Sequence, residues 1–225
     1  MPLRDVHRAL APPPGGAVFA EGYEFHHFLQ DGFDDRGWGC AYRALQTVWS
    51  WFRLSPAHAV AAPPPGHRRV QDALVRLGDK PAGFAGSRGW IGSVEIAFAL
   101  EELGGIASRI LPFPCGGELG AAAAALRTHF AGGGPPAMVG GGTAAYLFVG
   151  ITPPGPGAAR VLVLDPHWAG PDDAGAVVAA GYLRWRALAE FGLRGEPYNL
   201  LLPCAGPDAG SGGCGGAREC TNGFE

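Results

Sequence analysis

The sequence predicts an α+β fold, in which several helices are followed by a sheet. Apolar residues recur with helical spacing up to residue 130, and short apolar runs typical of strands follow from residue 137. Helices and strands therefore do not alternate as they would in a doubly wound sheet. The 225 residues are 47% hydrophobic, which is enough to bury a substantial core.

Four helices are predicted from the apolar spacing. The first begins at or near Cys40, because the residues that follow it at helical intervals are apolar: Leu45, Val48, Trp49 and Phe52. The second covers residues 70–77 and ends at Gly78, a typical helix stop. The third starts near Ser93, and the fourth covers the alanine-rich residues 121–130.

Four strands are predicted over residues 137–140, 146–151, 161–165 and 199–202, from short apolar runs bounded by turn residues. Before and after the globular part, residues 17–203, the composition changes. Residues 1–16 are expected to be a flexible leader, and residues 204–225, rich in Gly and Cys, a disordered tail.

Composition excludes several classes of function. Only 16% of residues are charged and the net charge is −3, so we expect no binding to nucleic acid and no attraction to an anionic membrane surface. No run of about 18 apolar residues predicts a membrane span. The five Cys lack a CxxC pair, so we expect no metal site, no cofactor and a reducing, cytoplasmic location.

Cys40 is a candidate nucleophile because of its place in the chain. A thiol attacks as the thiolate, and the N-terminus of a helix favours an anion. Gly37 and Gly39 flank Trp38 and leave room for a substrate backbone, while the N–H of Cys40 could meet a developing oxyanion. The alternative is that Cys40 is a small buried apolar residue, which is the usual role of an unpaired cysteine.

Asp165 and His167 are candidates for an acid–base pair. They end an apolar run, and strand periodicity places residues i and i+2 on the same side. Pro166 between them restricts Asp165 to an extended conformation. The alternative is an ordinary turn with a partly exposed histidine, and His26 and His27 remain second-choice bases.

Several segments together resemble a known family. Residues 25–31 and 34–52, with Gly-Trp-Gly-Cys at 37–40, are similar to the nucleophile segment of the ubiquitin-fold-modifier-specific cysteine proteases, the UfSP family. The similarity continues, in order, through residues 78–81, 86–93, 140–142, 164–167 and 198–203. It covers residues 23–203 and is strongest for the catalytic part of the longer family member.

The resemblance implies a papain-like peptidase domain over residues 17–203, with the nucleophile at the start of a central helix that faces an antiparallel sheet. It implies that Cys40 is the nucleophile, His167 the base and Asp165 its orienting acid. The expected activity is cleavage after the C-terminal glycine of the ubiquitin-fold modifier, in its conjugates and its precursor. We expect a monomer without membrane insertion, recruited to the endoplasmic reticulum only through a partner.

One position departs from the family pattern. The family has a tyrosine twelve residues before the nucleophile, whose hydroxyl helps to bind the oxyanion, and this chain has Phe28 there. Losing one oxyanion donor can lower kcat by about 10²–10³. Tyr23, His27 and Gln30 are candidates for a replacement donor.

Two further features have both a functional and a structural interpretation. Trp38 could form the wall of a narrow slot, with Gly39, that admits only small residues, or both Trp38 and Trp90 could be core aromatics. Residues 140–142 resemble a phosphate loop superficially, but no lysine follows, so we predict a tight turn.

Two alternative functions remain open at the level of sequence. Because of Phe28, the chain could bind the modifier but turn over weakly or not at all. Proteases of autophagy modifiers share Gly-Trp-Gly-Cys and Asp-Pro-His, so they are the nearest alternative family.

Overall fold

The computed structural model describes residues 1–204, apart from 59, 115, 156 and 195–196. Elements are numbered in chain order. The helices are α1 Cys40–Leu54, α2 His67–Arg76, α3 Ser93–Gly104, α4 Ala123–Ala131 and α5 Ala174–Ala179. The strands are β1 Leu3–Arg4, β2 Val18–Phe19, β3 Glu24–Phe25, β4 Ser108–Phe113, β5 Ala137–Gly141, β6 Ala144–Ile151, β7 Arg160–Leu164, β8 Leu183–Ala187 and β9 Tyr198–Pro203.

A single antiparallel sheet forms the body of the described part of the chain. Its order is β4-β9-β5-β6-β7-β8, and β2 pairs with the end of β6. Helix α1 packs against β5 and β6 and also contacts α3. The predicted α+β class and the papain-like arrangement, a central helix facing an antiparallel sheet, are therefore confirmed.

Helix α1 is buried on nearly every side. Its apolar residues are in the core as predicted, but its polar residues are buried too. Two of them accept backbone hydrogen bonds from the segment at β3: Ser50 Oγ from the N–H of Glu24 at 2.8 Å, and Thr47 Oγ1 from the N–H of His26 at 3.0 Å. Buried polar groups need such partners, and these bonds hold the segment before Cys40 against its own helix.

The four predicted strands are present as β5, β6, β7 and β9, with bounds shifted by one or two residues. Strands β4 and β8 were not predicted, and each forms an edge of the sheet. Pro112 lies within β4, where only an edge strand tolerates a missing N–H. Arg184 and Arg186 lie within β8, and charged side chains are typical of edge strands.

The predicted helices are present as α1, α2, α3 and α4, and α5 was not predicted. Helix α2 begins three residues earlier than expected. Short 3₁₀ helices cover Val6–Ala9, Ala82–Phe84, Gly116–Ala122 and Leu188–Arg194. None of the helices in the described residues is long and apolar enough to cross a membrane.

The flexible leader expected over residues 1–16 is wrong for its first part, which is packed on the domain. Strand β1 pairs with β3, and Val6 and His7 are buried. Asp5 Oδ1 accepts a hydrogen bond from the N–H of Gly22 at 2.6 Å, and the ring of His7 bonds the hydroxyl of Tyr23 at 3.1 Å. Contacts with residues 21–25 thus order this segment. The predicted tail lies outside the described residues, except for Cys204.

Candidate active site

Cys40 is the first residue of α1, and 9% of its surface is exposed. The residue before it, Gly39, is the N-cap, and no capping side chain accepts from the first N–H groups of the helix. Such groups normally need an acceptor. The N–H groups at the start of α1 therefore remain available to an oxyanion that develops beside the sulfur.

A buried carboxylate, Asp35, supports the loop that leads to Cys40. It accepts hydrogen bonds from the N–H of Leu29 at 3.1 Å and from Nε of Arg43 at 2.6 Å, and Nε2 of His67 lies 3.1 Å away. Burial by itself would raise the pKa of Asp35, but the hydrogen bonds from His67 and Arg43 lower it to about 2. Asp35 is thus an anion that ties residue 29, the first turn of α1 and α2 together.

Gly39 is required by this arrangement. Its backbone N–H donates to the carbonyl of Asp35 at 2.8 Å, and a Cβ atom at position 39 would overlap the Asp35 side chain. From the sequence, Gly39 was interpreted as leaving room for a substrate backbone. The structure adds a second reason, the close approach of the Asp35 carboxylate.

Asp165 and His167 lie directly after β7. Nδ1 of His167 donates to Oδ1 of Asp165 at 2.5 Å, and the backbone N–H of His167 donates to the same oxygen at 3.0 Å. The N–H of Asp165 donates to the carbonyl of Tyr182 at 2.8 Å, which anchors Asp165 to the residue just before β8. The imidazole is therefore oriented by Asp165, as the spacing predicted.

His167 also interacts with Cys40. Burial lowers the pKa of His167, but hydrogen bonds with Asp165 and Cys40 and the charges of both groups outweigh that effect and raise it to about 10. The ring is therefore an imidazolium at neutral pH. The structure thus brings Cys40 together with Asp165 and His167, which lie 125 and 127 residues later in the chain.

The two second-choice bases lie in other surroundings. Both ring nitrogens of His27 are occupied, Nδ1 by the carbonyl of Phe28 at 2.9 Å and Nε2 by Asp172 at 2.9 Å. Burial, then the charge of Arg43, lowers the pKa of His26 to about 4. Neither ring is placed beside Cys40 as His167 is.

Phe28 lies against the catalytic candidates. Its ring meets His167 at a centroid distance of 5.2 Å, and its N–H donates to the carbonyl of Pro166 at 3.1 Å. The replacement donors considered from sequence are engaged elsewhere: the Tyr23 hydroxyl with His7, and Nε2 of Gln30 with Asp172 and the carbonyl of Phe25. These side chains therefore do not replace the missing hydroxyl.

A cleft of about 280 Å³ opens beside Cys40. Its walls include both tryptophans considered above: Trp38, which is buried, and Trp90, which is 51% exposed. Asn199 and the turn between β5 and β6 also line it. The functional interpretation of Trp38 is therefore compatible with its position.

The tight turn predicted over residues 140–142 is correct only for Gly142, because Gly140 and Gly141 are the last residues of β5. All three glycines line the cleft, which was not predicted. A Cβ atom at Gly141 would overlap the ring of Tyr198, and Gly142 has φ +54°, a conformation that glycine adopts readily. These glycines thus present bare backbone to whatever occupies the cleft. Extended chains of small residues fit such a lining best.

The chain is similar in sequence to several known proteins. A probable Ufm1-specific protease of Oryza sativa subsp. japonica is 41% identical over 211 residues, 89% of this chain and 33% of that protein. Ufm1-specific protease 2 of Gallus gallus is 44% identical over 201 residues, 88% of this chain and 43% of that protein. The chain thus spans a third to less than half of the length of these relatives.

A solved structure is also similar. The crystal structure of UfSP from C. elegans aligns with a TM-score of 0.78 and 37% identity, and the match covers 90% of this chain and 37% of that one. The model of peptidase family C78 matches residues 16–201, which include Cys40, Asp165 and His167. Since this match covers most of the sequence, the chain belongs to peptidase family C78.

Proposed function

We propose that the chain is a thiol-dependent protease and isopeptidase that cleaves after the C-terminal glycine of the ubiquitin-fold modifier. The observation that carries the proposal is the position of Cys40 at the start of α1, where it interacts with the His167 imidazole that Asp165 orients. The names of the relatives supply the substrate class. A cytoplasmic location belongs to the same proposal, since a nucleophilic thiol works in a reducing compartment.

The proposed reaction has two steps. The Cys40 thiolate attacks the glycine carbonyl carbon, and the charge on the carbonyl oxygen is met by N–H groups at the start of α1. The C–N bond then breaks as His167 gives its proton to the leaving amine, and a thioester remains. His167 next takes a proton from a water molecule as the water oxygen attacks the thioester carbonyl carbon. The C–S bond then breaks, which restores the Cys40 thiolate beside protonated His167, and the acid product loses its own proton to solvent and leaves as a carboxylate.

The cleft accounts for selection of a glycine at the end of the modifier. Gly140, Gly141 and Gly142 line the space beside Cys40 together with Trp38 and Trp90. Because the glycines carry no side chains, an extended glycine segment can lie against their backbone and place its carbonyl at the sulfur.

Covalent capture tests this proposal. The full chain is incubated with ubiquitin-fold modifier that carries an electrophile in place of its C-terminal carboxylate, with ubiquitin and autophagy-modifier probes in parallel. We expect an adduct with the first probe only, lost in Cys40→Ala and kept in Cys204→Ala, because Cys204 is an exposed cysteine at the end of β9.

Other outcomes separate the alternatives. An adduct that forms equally in Cys40→Ala would contradict the assignment of the nucleophile. Binding of the modifier without any adduct would support the non-catalytic binding module instead. Capture by the autophagy probe alone would show that the substrate class is wrong.

A further inference from the structure

A second cleft lies on the other side of the catalytic candidates. It has a volume of about 320 Å³ and is lined by Tyr146, Asp165, His167, Ala180, Tyr182 and Arg184. It shares no lining residue with the cleft at Cys40, so the sulfur opens to one cleft and the imidazole to the other.

The two clefts meet at the catalytic candidates. Cys40 lines the first cleft, His167 lines the second, and the two side chains interact. On strand β6, Ala144 and Ala145 line the first cleft, and the next residue, Tyr146, lines the second. An extended chain that crosses the Cys40–His167 pair can therefore continue from the first cleft into the second.

The chemistry assigns a direction to this path. The acyl part of the substrate becomes attached to Cys40, and the leaving amine must lie where His167 can protonate it. Resting on the proposed function above, we propose that the second cleft binds the leaving group, and that Arg184 selects an acidic residue next to the scissile bond.

Arg184 is suited to this role by its surroundings. It is an exposed residue of the edge strand β8, and Nη1 donates to the carbonyl of Gly181 at 2.7 Å. Within the described ranges it has no ion-pair partner, and the one carboxylate that lines the cleft, Asp165, is engaged by His167. The positive charge of Arg184 is thus available to a carboxylate from the substrate.

The two tyrosines complete the cleft. The ring of Tyr146 is 5.8 Å from that of His167, and the ring of Tyr182 packs against Trp168 at 5.3 Å. Burial, then the charge of Asp165, raises the pKa of Tyr146, while the charges of Arg186 and Arg184 act in the opposite direction. Aromatic walls of this kind suit the four methylene groups of an isopeptide-linked lysine.

Matched leaving groups test the proposal. The modifier is joined through its last glycine to peptides that begin with Asp-Glu or Lys-Arg, and to a neutral fluorogenic amine. For each enzyme variant, kcat/KM on each peptide fusion is divided by kcat/KM on the fluorogenic substrate. We expect the full chain to prefer the acidic fusion about three- to tenfold, and the preference to decline as salt is raised.

Three variants separate the roles. Arg184→Gln should abolish the preference, and Arg184→Glu should invert it. Arg160→Glu is the control, because Arg160 is exposed on the neighbouring strand β7 but does not line the cleft, and it should keep the preference.

The possible results distinguish failure of the Arg184 assignment from failure of the proposed function. A preference unchanged in Arg184→Glu, or no preference in the full chain, overturns the assignment of Arg184 while cleavage of the fluorogenic substrate upholds the proposed function. No cleavage of any of the three substrates overturns both proposals.

Discussion

The ring of Phe28 meets the ring of His167 edge to face, with centroids 5.2 Å apart and planes inclined by 82°. A residue without a hydroxyl therefore stands next to the proposed base, where the family resemblance implies an oxyanion donor. Several consequences of this site can be measured.

Restoring the hydroxyl should accelerate the reaction. In Phe28→Tyr we expect kcat to rise by up to about 10²-fold, since one oxyanion donor contributes about that much or more. The modifier Kd should change little. Phe33→Tyr is the control, because it adds the same hydroxyl to an exposed ring. Equal kcat in Phe28→Tyr and the parent chain would mean that backbone N–H groups already suffice.

The pH at which kcat/KM declines on the alkaline side should be set by the pKa of His167. Because the pKa of His167 is raised to about 10, its imidazolium persists through neutral pH and is lost only as pH rises through that value. In Asp165→Asn the pKa should fall toward the ordinary value near 6.5, so the alkaline limb of kcat/KM should shift to lower pH. An unshifted limb in that variant would contradict the coupling.

Alkylation should report the Cys40–His167 pair directly. We expect iodoacetamide to modify Cys40 well below pH 8 in the parent chain, because an adjacent imidazolium favours the thiolate. In His167→Ala the reaction at low pH should weaken. Peptide mapping follows Cys40 and the exposed Cys204 in the same sample. Identical pH profiles for the two thiols would refute the pair.

Removing Asp35 should destabilise the fold. Asp35→Ala leaves Arg43 buried without its closest partner, and breaking such a pair costs about 3–5 kcal/mol in the free energy of unfolding. The pKa of Asp35 is lowered to about 2, so its contribution is present above the unfolded value near pH 4 and lost as pH falls through 2. Urea unfolding at pH 7 and pH 3 measures both effects.

Asp34→Ala is the control for that experiment, because Asp34 is exposed and pairs with Arg36 at the surface. It should leave the midpoint of unfolding nearly unchanged. Equal losses in the two variants would show that the buried network has no special role.

A methyl group at position 39 should also disturb the contacts of the Asp35 carboxylate. Gly39→Ala would overlap the Asp35 carboxylate, and overpacking typically costs about 1–3 kcal/mol. We expect a lower Tm and a lower kcat, because the loop that precedes Cys40 must move. Gly83→Ala has open space around it and an ordinary φ, so it serves as the control. A wild-type Tm and kcat in Gly39→Ala would contradict the packing.

Much of the fold could be predicted because it depends on local patterns. The apolar spacing after Cys40 predicts α1, and the apolar runs predict the strands at the centre of the sheet. The edge strands β4 and β8 escaped prediction, because Pro112 and the arginines of β8 obscure the apolar pattern there. The pairing of β1 with β3 was not predicted for another reason. Strands of two residues are too short to show an alternation of apolar and polar residues.

The sequence by itself determined the nucleophile candidate and the acid–base pair, since a helix start and two residues at a strand end are local features. Only the tertiary structure decided that Phe28 lies against His167, that Asp35 lies under Gly39, and that Arg184 lines a cleft beside the imidazole. The physical reason is that side-chain neighbours across long stretches of chain depend on strand order and register. No spacing within the sequence encodes that order.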